Sequence, residues 1–144
     1  MDQQAPILVV DDDDNDVFLL RRALTKAGVH NPLFVARDGQ EAIDYLAGAA
    51  PYSDRGQYPL PALLLLDLKM PRVNGFDVLA WKERRPQLRQ LPVVVFSSSS
   101  QAADQARART MGAVDYHAKP ADFQELVRLL KNLHERWLGA TGPK

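Results

Sequence analysis

The sequence ILVVDD at residues 7–12 indicates the fold more directly than any other stretch. Its first four residues are apolar, which is typical of a strand buried on both faces of a parallel sheet. Two aspartates then end the run. From Val17 the apolar residues follow a helical spacing, and Gly28 is expected to end that helix. Residues 7–28 therefore predict one strand followed by one helix.

An apolar run followed by an amphipathic stretch occurs five times along the chain. The predicted strands are residues 7–10, 33–36, 62–66, 93–96 and 113–118. This alternation predicts an α/β fold with a parallel sheet covered by helices on both faces. The last helix has the clearest apolar spacing, whereas residues 101–111 are helical in composition but poor in apolar residues. We expect five strands and five helices in one domain at 7–138, with tails at 1–6 and 139–144.

The composition excludes several classes of function. The chain has 144 residues and equal numbers of basic and acidic residues, 18 of each, which argues against direct nucleic-acid binding. It has no cysteine, which excludes disulfides and thiolate metal sites. A chain without cysteine is compatible with the reducing cytosol. No apolar run approaches the roughly 20 residues of a membrane helix, and no signal peptide precedes residue 7. We therefore expect a soluble, cytoplasmic protein without membrane contacts.

The candidate site residues directly follow the first, third, fourth and fifth predicted strands. They are Asp11, Asp12, Asp67, Ser97 and Lys119. Ligands of parallel sheets bind at the carboxyl ends of the strands. Neighbouring carboxylates there repel one another unless a cation compensates them, and oxygen ligands suit a hard cation such as Mg²⁺. With a hydroxyl and a lysine added, the set of groups suits phosphoryl transfer.

Each of these positions also has an ordinary structural interpretation. Aspartates at 13–16 are expected to cap the first helix, and we favour that role for them. The serines at 98–100 are expected to be turn hydroxyls, and a lysine such as Lys119 is most often a surface residue. For Asp11 and Asp12, at the end of a buried strand, we favour a cation site.

Four motifs together resemble the receiver domain of two-component response regulators. They are VVDD at 9–12, LDLKMP at 66–71 with Gly75 after it, PVVVFS at 92–97, and Lys119–Pro120. No single motif is specific, but their joint spacing is. The resemblance covers about residues 7–138 and implies a flavodoxin-like (βα)5 fold.

The resemblance also implies a chemistry for the strand ends. Asp67 would be the aspartate that a sensor histidine kinase phosphorylates in the presence of Mg²⁺, giving an aspartyl phosphate. Asp12, Asp67 and the backbone carbonyl of Lys69 would bind the Mg²⁺ directly, whereas Asp11 would act mainly through water. The protein would thus be a signalling phospho-acceptor that catalyses only its own phosphorylation and dephosphorylation.

Other residues would respond to the phosphoryl group. By the same resemblance, Ser97 would bond a phosphoryl oxygen and move inward on activation, and Tyr116 would reorient with it. Lys119 would pair with the phosphoryl group, and the Lys119–Pro120 bond would be cis. Lys69 places a long cation at a position that tunes the lifetime of the phosphoryl group in the family.

Two features resemble a particular group within the family. The proline-containing loop at 49–61, which we expect to have a fixed course, and the extension at 136–138 resemble stand-alone receivers that serve phytochrome-type sensor kinases. No DNA-binding segment follows the last helix, so output is expected through contacts with a downstream protein that the sequence does not identify. Because Trp137 and Leu138 are expected beyond the sheet edge, we predict a homodimer or a kinase contact on the surface of the fourth helix, fifth strand and fifth helix.

Two alternatives come from other classes of protein. Residues 11–13 have the Asp-x-Asp spacing of haloacid-dehalogenase-type phosphatases, but the Gly-Thr that usually follows and the late acidic pair are missing, and Asp67 is left without a role. A phosphate-independent interaction module would typically lack an acidic residue or the lysine, and here all are present. Nucleotide-binding glycine loops are absent from the sequence.

Overall fold

A computed structural model describes residues 5–98 and 101–138. The order of elements in these residues is β1 (Ile7–Val10), α1 (Asp14–Lys26), β2 (Leu33–Ala36), α2 (Gly39–Ala47), β3 (Leu63–Leu66), α3 (Gly75–Glu83), the 3₁₀ helix η1 (Pro86–Leu88), β4 (Val93–Ser97), α4 (Ala102–Thr110), β5 (Asp115–Ala118) and α5 (Phe123–Trp137). Five strands thus alternate with five α-helices, as predicted. Strand β5 begins two residues later than expected, because Ala113 still donates its backbone N–H to Ala108 at the end of α4.

The five strands form one parallel sheet in the order β2-β1-β3-β4-β5, which confirms the predicted fold class. Strand β1 lies between β2 and β3, and Val10 is in register with Leu66. The residues that follow these two positions therefore leave the sheet side by side. The backbone N–H of Asp67 donates to the carbonyl of Val10 at 3.0 Å, which fixes this alignment.

Each face of the sheet carries its own apolar cluster. Ile7 and Val9 point to the face covered by α1 and α5, whereas Leu8 and Val10 point to the face covered by α2, α3 and α4. All four residues of β1 are therefore buried, which explains why the strand has a continuous apolar run. Among the described helices, none is long and apolar enough to cross a bilayer.

The C-terminal end of α5 differs from the prediction. Leu138 is buried and belongs to the apolar cluster that contains Ile7 and Val29, and Trp137 packs against the same cluster. The expectation that these two residues extend beyond the sheet was wrong, because α5 runs back along the sheet and its end covers the first residues of the strands. They provide no argument for a dimer.

The long loop after α2 is fixed by one arginine. Arg55 donates to the backbone carbonyls of Tyr45 at 2.8 Å, Leu46 at 2.9 Å and Tyr58 at 3.1 Å, so its guanidinium binds the C-terminal end of α2. The rings of Tyr45, Tyr52 and Tyr58 pack against one another. The course of this loop therefore depends on these contacts as well as on its prolines.

The predicted tails lie mostly outside the described residues. Residues 1–4 and 139–144 are not among them, nor are Ser99 and Ser100. Residues 5 and 6, which we assigned to the N-terminal tail, make backbone contacts: the Ala5 carbonyl accepts from Asn31, and the Pro6 carbonyl accepts from Ala62.

Candidate functional site

Three aspartates meet where β1 and β3 end. Carboxylate oxygens of Asp11, Asp12 and Asp67 all lie within 4.8 Å of one another. Asp11 and Asp67 are buried, and Asp12 is exposed. Adjacent parallel strands in register bring these side chains together. The donor set consists only of oxygens, which fits a hard divalent cation better than a transition metal.

Backbone groups hold the two buried carboxylates in place. Oδ1 of Asp11 accepts from the N–H of Asp13 at 2.9 Å, and Oδ1 of Asp67 accepts from the N–H of Lys69 at 3.1 Å. Gly75, the first residue of α3, packs against the same loop. A Cβ atom there would lie 2.5 Å from the carbonyl oxygen of Asp67, so only glycine lets α3 begin this close to the aspartate.

Lys119 brings a cation into the cluster from the end of β5. Its Nζ donates to Asp16 at 2.6 Å, to Asp11 at 3.0 Å and to Asp67 at 3.2 Å. Its backbone N–H donates to the carbonyl of Ser97 at 2.8 Å, which ties the ends of β4 and β5 together. Lys119 is thus not a free surface lysine.

The peptide bond before Pro120 is trans. Among the described residues the cis bond is Ala50–Pro51, so the expected cis geometry at Lys119–Pro120 was wrong. The trans isomer of an X-Pro bond is favoured by about 0.5–1 kcal/mol. Lys119 reaches both buried carboxylates from the trans bond, so no cis bond is needed to aim its side chain.

The acidic side chains of the site outnumber its one ammonium group, that of Lys119. Burial raises the pKa of Asp11 and of Asp67, although Lys119 and backbone N–H groups act in the opposite direction. Burial alone would lower the pKa of Lys119, but the bonds to Asp16 and Asp11 and the charge of Asp67 raise it above its ordinary value. The lysine therefore stays charged, and one ammonium leaves the carboxylates incompletely compensated. An additional cation fits this imbalance.

The sequence did not identify Asp16 as part of the site. Residues 13–16 were assigned to capping, and Asp13 is indeed the N-cap of α1, where it accepts from the N–H groups of Asn15 and Asp16. Asp16 instead bonds Lys119. One side chain is enough to fill the N-cap position. The additional aspartates at residues 13–16 were therefore the signal in the sequence that one of them has another role.

The remaining predicted site residues lie in β4, in β5 and in the loop after Asp67. Ser97 is buried as the last residue of β4, and Tyr116 is buried in β5. Lys69 is exposed, and its Nζ lies 3.6 Å from the carboxylate of Asp104 in α4. The loop after Asp67 is thereby linked to α4. The cation-binding role of the Lys69 carbonyl and the switching roles of Ser97 and Tyr116 stay predictions.

Asp115 connects the three elements of the predicted output surface. Its carboxylate lies 3.0 Å from His117 in β5, 3.4 Å from Arg109 in α4 and 3.7 Å from Arg136 in α5. Burial would raise its pKa, but the Tyr116 N–H, His117 and Arg109 hold the pKa of Asp115 below its usual value. The surface of α4, β5 and α5 is therefore linked by ion pairs around one carboxylate.

Comparison of the sequence with known proteins gives one consistent family. The model of the response regulator receiver domain matches residues 7–131. The probable methanogenesis regulatory protein FilR2 of Methanothrix harundinacea is 36% identical over 133 residues, which cover 92% of this chain and 83% of FilR2. Response regulator Rcp1 of Synechocystis sp. is 30% identical over 132 residues, which cover 92% of this chain and 88% of Rcp1.

Solved structures agree with the sequence comparison. The phosphorylated cyanobacterial phytochrome response regulator RcpA has a TM-score of 0.87 at 32% identity, with 97% of both chains covered. The Mn²⁺-bound form of Rcp1 has a TM-score of 0.84 at 28% identity, covering 97% of this chain and 99% of that chain. The haloacid-dehalogenase-type alternative has no support from these matches.

Proposed function

The chain belongs to the response regulator receiver domain family of two-component signalling, and we propose that its Asp67 accepts a phosphoryl group from the phosphohistidine of a sensor histidine kinase. One observation carries this proposal. The Asp67 carboxylate is buried beside two further aspartates and within hydrogen-bond distance of Lys119. A buried carboxylate with a neighbouring ammonium and an oxygen-lined cation site has the groups that phosphoryl transfer requires.

The reaction moves one phosphoryl group between two side chains. An Asp67 carboxylate oxygen attacks the phosphorus, a P–O bond forms, and the P–N bond to the donor imidazole breaks with its electron pair passing to the nitrogen. Lys119 neutralises the phosphoryl oxygens and Ser97 donates its hydroxyl to one of them. Asp11, Asp12, Asp67 and the Lys69 carbonyl would hold Mg²⁺, which when bound supplies further positive charge at these oxygens.

The choice of a divalent cation rests on the ligands and on one relative. Carboxylate and carbonyl oxygens are the groups that Mg²⁺ binds, usually with several waters. Rcp1 has been crystallised in an Mn²⁺-bound form, and Mn²⁺ prefers similar oxygen ligands. We therefore propose a magnesium-dependent acceptor.

The proposed partner on the input side is a phytochrome-type sensor kinase in the cytoplasm. The similarity to RcpA over nearly the whole chain supports this assignment. On the output side, a shift of Ser97 and Tyr116 would change the surface of α4, β5 and α5, in which Asp115 links Arg109 and Arg136. We propose that this surface binds a second copy of the chain or a downstream protein.

The test is transfer of label from a kinase. A phytochrome-type histidine kinase autophosphorylated with labelled ATP should pass its label to the wild-type protein in the presence of Mg²⁺, and EDTA should prevent the transfer. The variant Asp67→Asn should accept none, whereas Asp54→Asn, which changes an exposed loop aspartate in the same way, should accept label normally. Label on the Asp67→Asn protein would contradict the assignment.

A further inference from the structure

Lys119 makes its shortest ion pair with a residue outside the proposed cation site. Its Nζ lies 2.6 Å from Asp16, compared with 3.2 Å from Asp67. The cluster of carboxylates that lies within cation-binding distance consists, among the described residues, of Asp11, Asp12 and Asp67. Asp16 is therefore a partner of the lysine that a cation in this cluster would not occupy.

The backbone of α1 fixes the position of Asp16. Its N–H donates to the Asp13 cap at 3.2 Å, so Asp16 lies in the first turn of the helix. From there its side chain, which is one-third exposed, reaches Lys119 across the gap between α1 and the end of β5. The pair joins two residues that are 103 positions apart in the sequence. Capping does not need this contact, because Asp13 already provides the cap.

We propose that Asp16 is a positioning residue that shares the Lys119 ammonium with Asp67 and thereby limits how strongly the site retains a phosphoryl group. This inference rests on the proposed function. When a cation neutralises Asp11, Asp12 and Asp67, Asp16 remains the lysine's anionic partner. A phosphoryl group on Asp67 then has to compete with Asp16 for the same ammonium, and it also faces the negative charge of Asp16.

The surroundings of Lys119 leave room for this competition. A cavity of about 70 Å³ lies beside the lysine and is lined by Asp16, Leu19, Pro120 and Leu126 among others. Asp67 and Lys119 line the same cavity, so a phosphoryl group on Asp67 has room beside the pair of Lys119 and Asp16.

Removal of the Asp16 charge should leave the lysine ammonium free to pair fully with a phosphoryl group on the acceptor. At saturating Mg²⁺, Asp16→Asn should bind the phosphoryl mimic beryllofluoride roughly five-fold more tightly than wild type, the effect of one partly exposed ion pair. Its affinity for Mg²⁺ alone should not increase, because loss of a nearby negative charge cannot favour a cation. Asp16→Glu keeps the charge and should bind the mimic like wild type. If the role of Asp16 were purely structural, Asp16→Asn should bind both beryllofluoride and Mg²⁺ more weakly than wild type.

Asp14 provides the matched control. It lies in the same first turn but is exposed and pairs with Arg37. Asp14→Asn removes the same charge, and should change beryllofluoride affinity less than about two-fold because exposed charges are screened. Both affinities are measured by calorimetry. Equal affinities of the Asp16→Asn and Asp14→Asn proteins would overturn this inference alone, whereas a wild-type protein that binds no beryllofluoride would overturn the proposed function as well.

Discussion

Replacement of Lys119 with methionine should lower the free energy of unfolding of the cation-free protein by about 3 kcal/mol at pH 7. The substitution leaves the buried carboxylates of Asp11 and Asp67 without the ammonium that now bonds both of them. Removal of one partner from a fully buried pair costs about 3–5 kcal/mol. Because 22% of the Lys119 side chain is exposed, the lower end of that range is expected.

The effect should depend on pH in a defined direction. Burial has already raised the pKa of Asp11 and Asp67 above the unfolded value of 3.8, so their ionised forms cost stability in the folded state. As the pH falls through the raised values toward 3.8, both carboxyls become protonated and the cost disappears. Lys119 lowers both pKa values, so in Lys119→Met the two carboxyls become protonated at a higher pH than in wild type. The difference in the free energy of unfolding between wild type and Lys119→Met should therefore be smaller at pH 5 than at pH 7.

Urea unfolding at the two pH values, without divalent cations, measures this difference. Lys131→Met makes the same substitution at an exposed position of α5 and should change stability by less than about 0.5 kcal/mol. If Lys119→Met is as stable as Lys131→Met at pH 7, then Lys119 does not compensate the buried carboxylates and the electrostatic account of the site is wrong.

Mg²⁺ should stabilise the wild-type protein and should have little effect on Asp12→Ala. A ligand that binds only the folded state at 100 times its Kd adds about 2.7 kcal/mol, which for a chain of this size raises Tm by roughly 5–10 °C. Without Asp12, the cluster loses its exposed ligand. The Asp12→Ala protein should also be at least as stable as wild type in EDTA, because one of three crowded like charges is gone.

Thermal unfolding in EDTA and in a series of Mg²⁺ concentrations tests this prediction. Asp14→Ala removes an exposed aspartate two residues away that is not in the cluster, so its Tm should rise with Mg²⁺ as wild type does. An equal response of Asp12→Ala and wild type would show that the cation binds elsewhere.

The fold could be predicted from the sequence because its signals are local. The continuous apolar runs at residues 7–10 and 93–96 are what a strand buried on both faces requires, and each ends at a polar residue. The positions of Asp11, Asp12 and Asp67 follow from the same rule, since strand ends of a parallel sheet share one edge. The burial of Asp11 and Asp67 and the directions of their pKa shifts needed the three-dimensional arrangement.

Two of the errors concern contacts between residues that are distant in the sequence. Asp16 looked like one of several capping aspartates, and its bond to Lys119 spans 103 positions. Trp137 and Leu138 looked like an unburied extension because the sequence does not say how far α5 runs along the sheet. The isomer at Lys119–Pro120 was inferred from the family rather than from any local residue pattern, and the bond is trans.

The central claim is that Asp67 carries the phosphoryl group, and mass spectrometry tests it most directly. The protein is treated with acetyl phosphate in Mg²⁺ or in EDTA, and the acyl phosphate is reduced to mark its position before proteolysis. We expect one mark per chain, on the peptide that contains Asp67, only with Mg²⁺, and none in Asp67→Asn. A mark on Asp11 or Asp12 in the wild type, or an unchanged yield from Asp67→Asn, would contradict the claim.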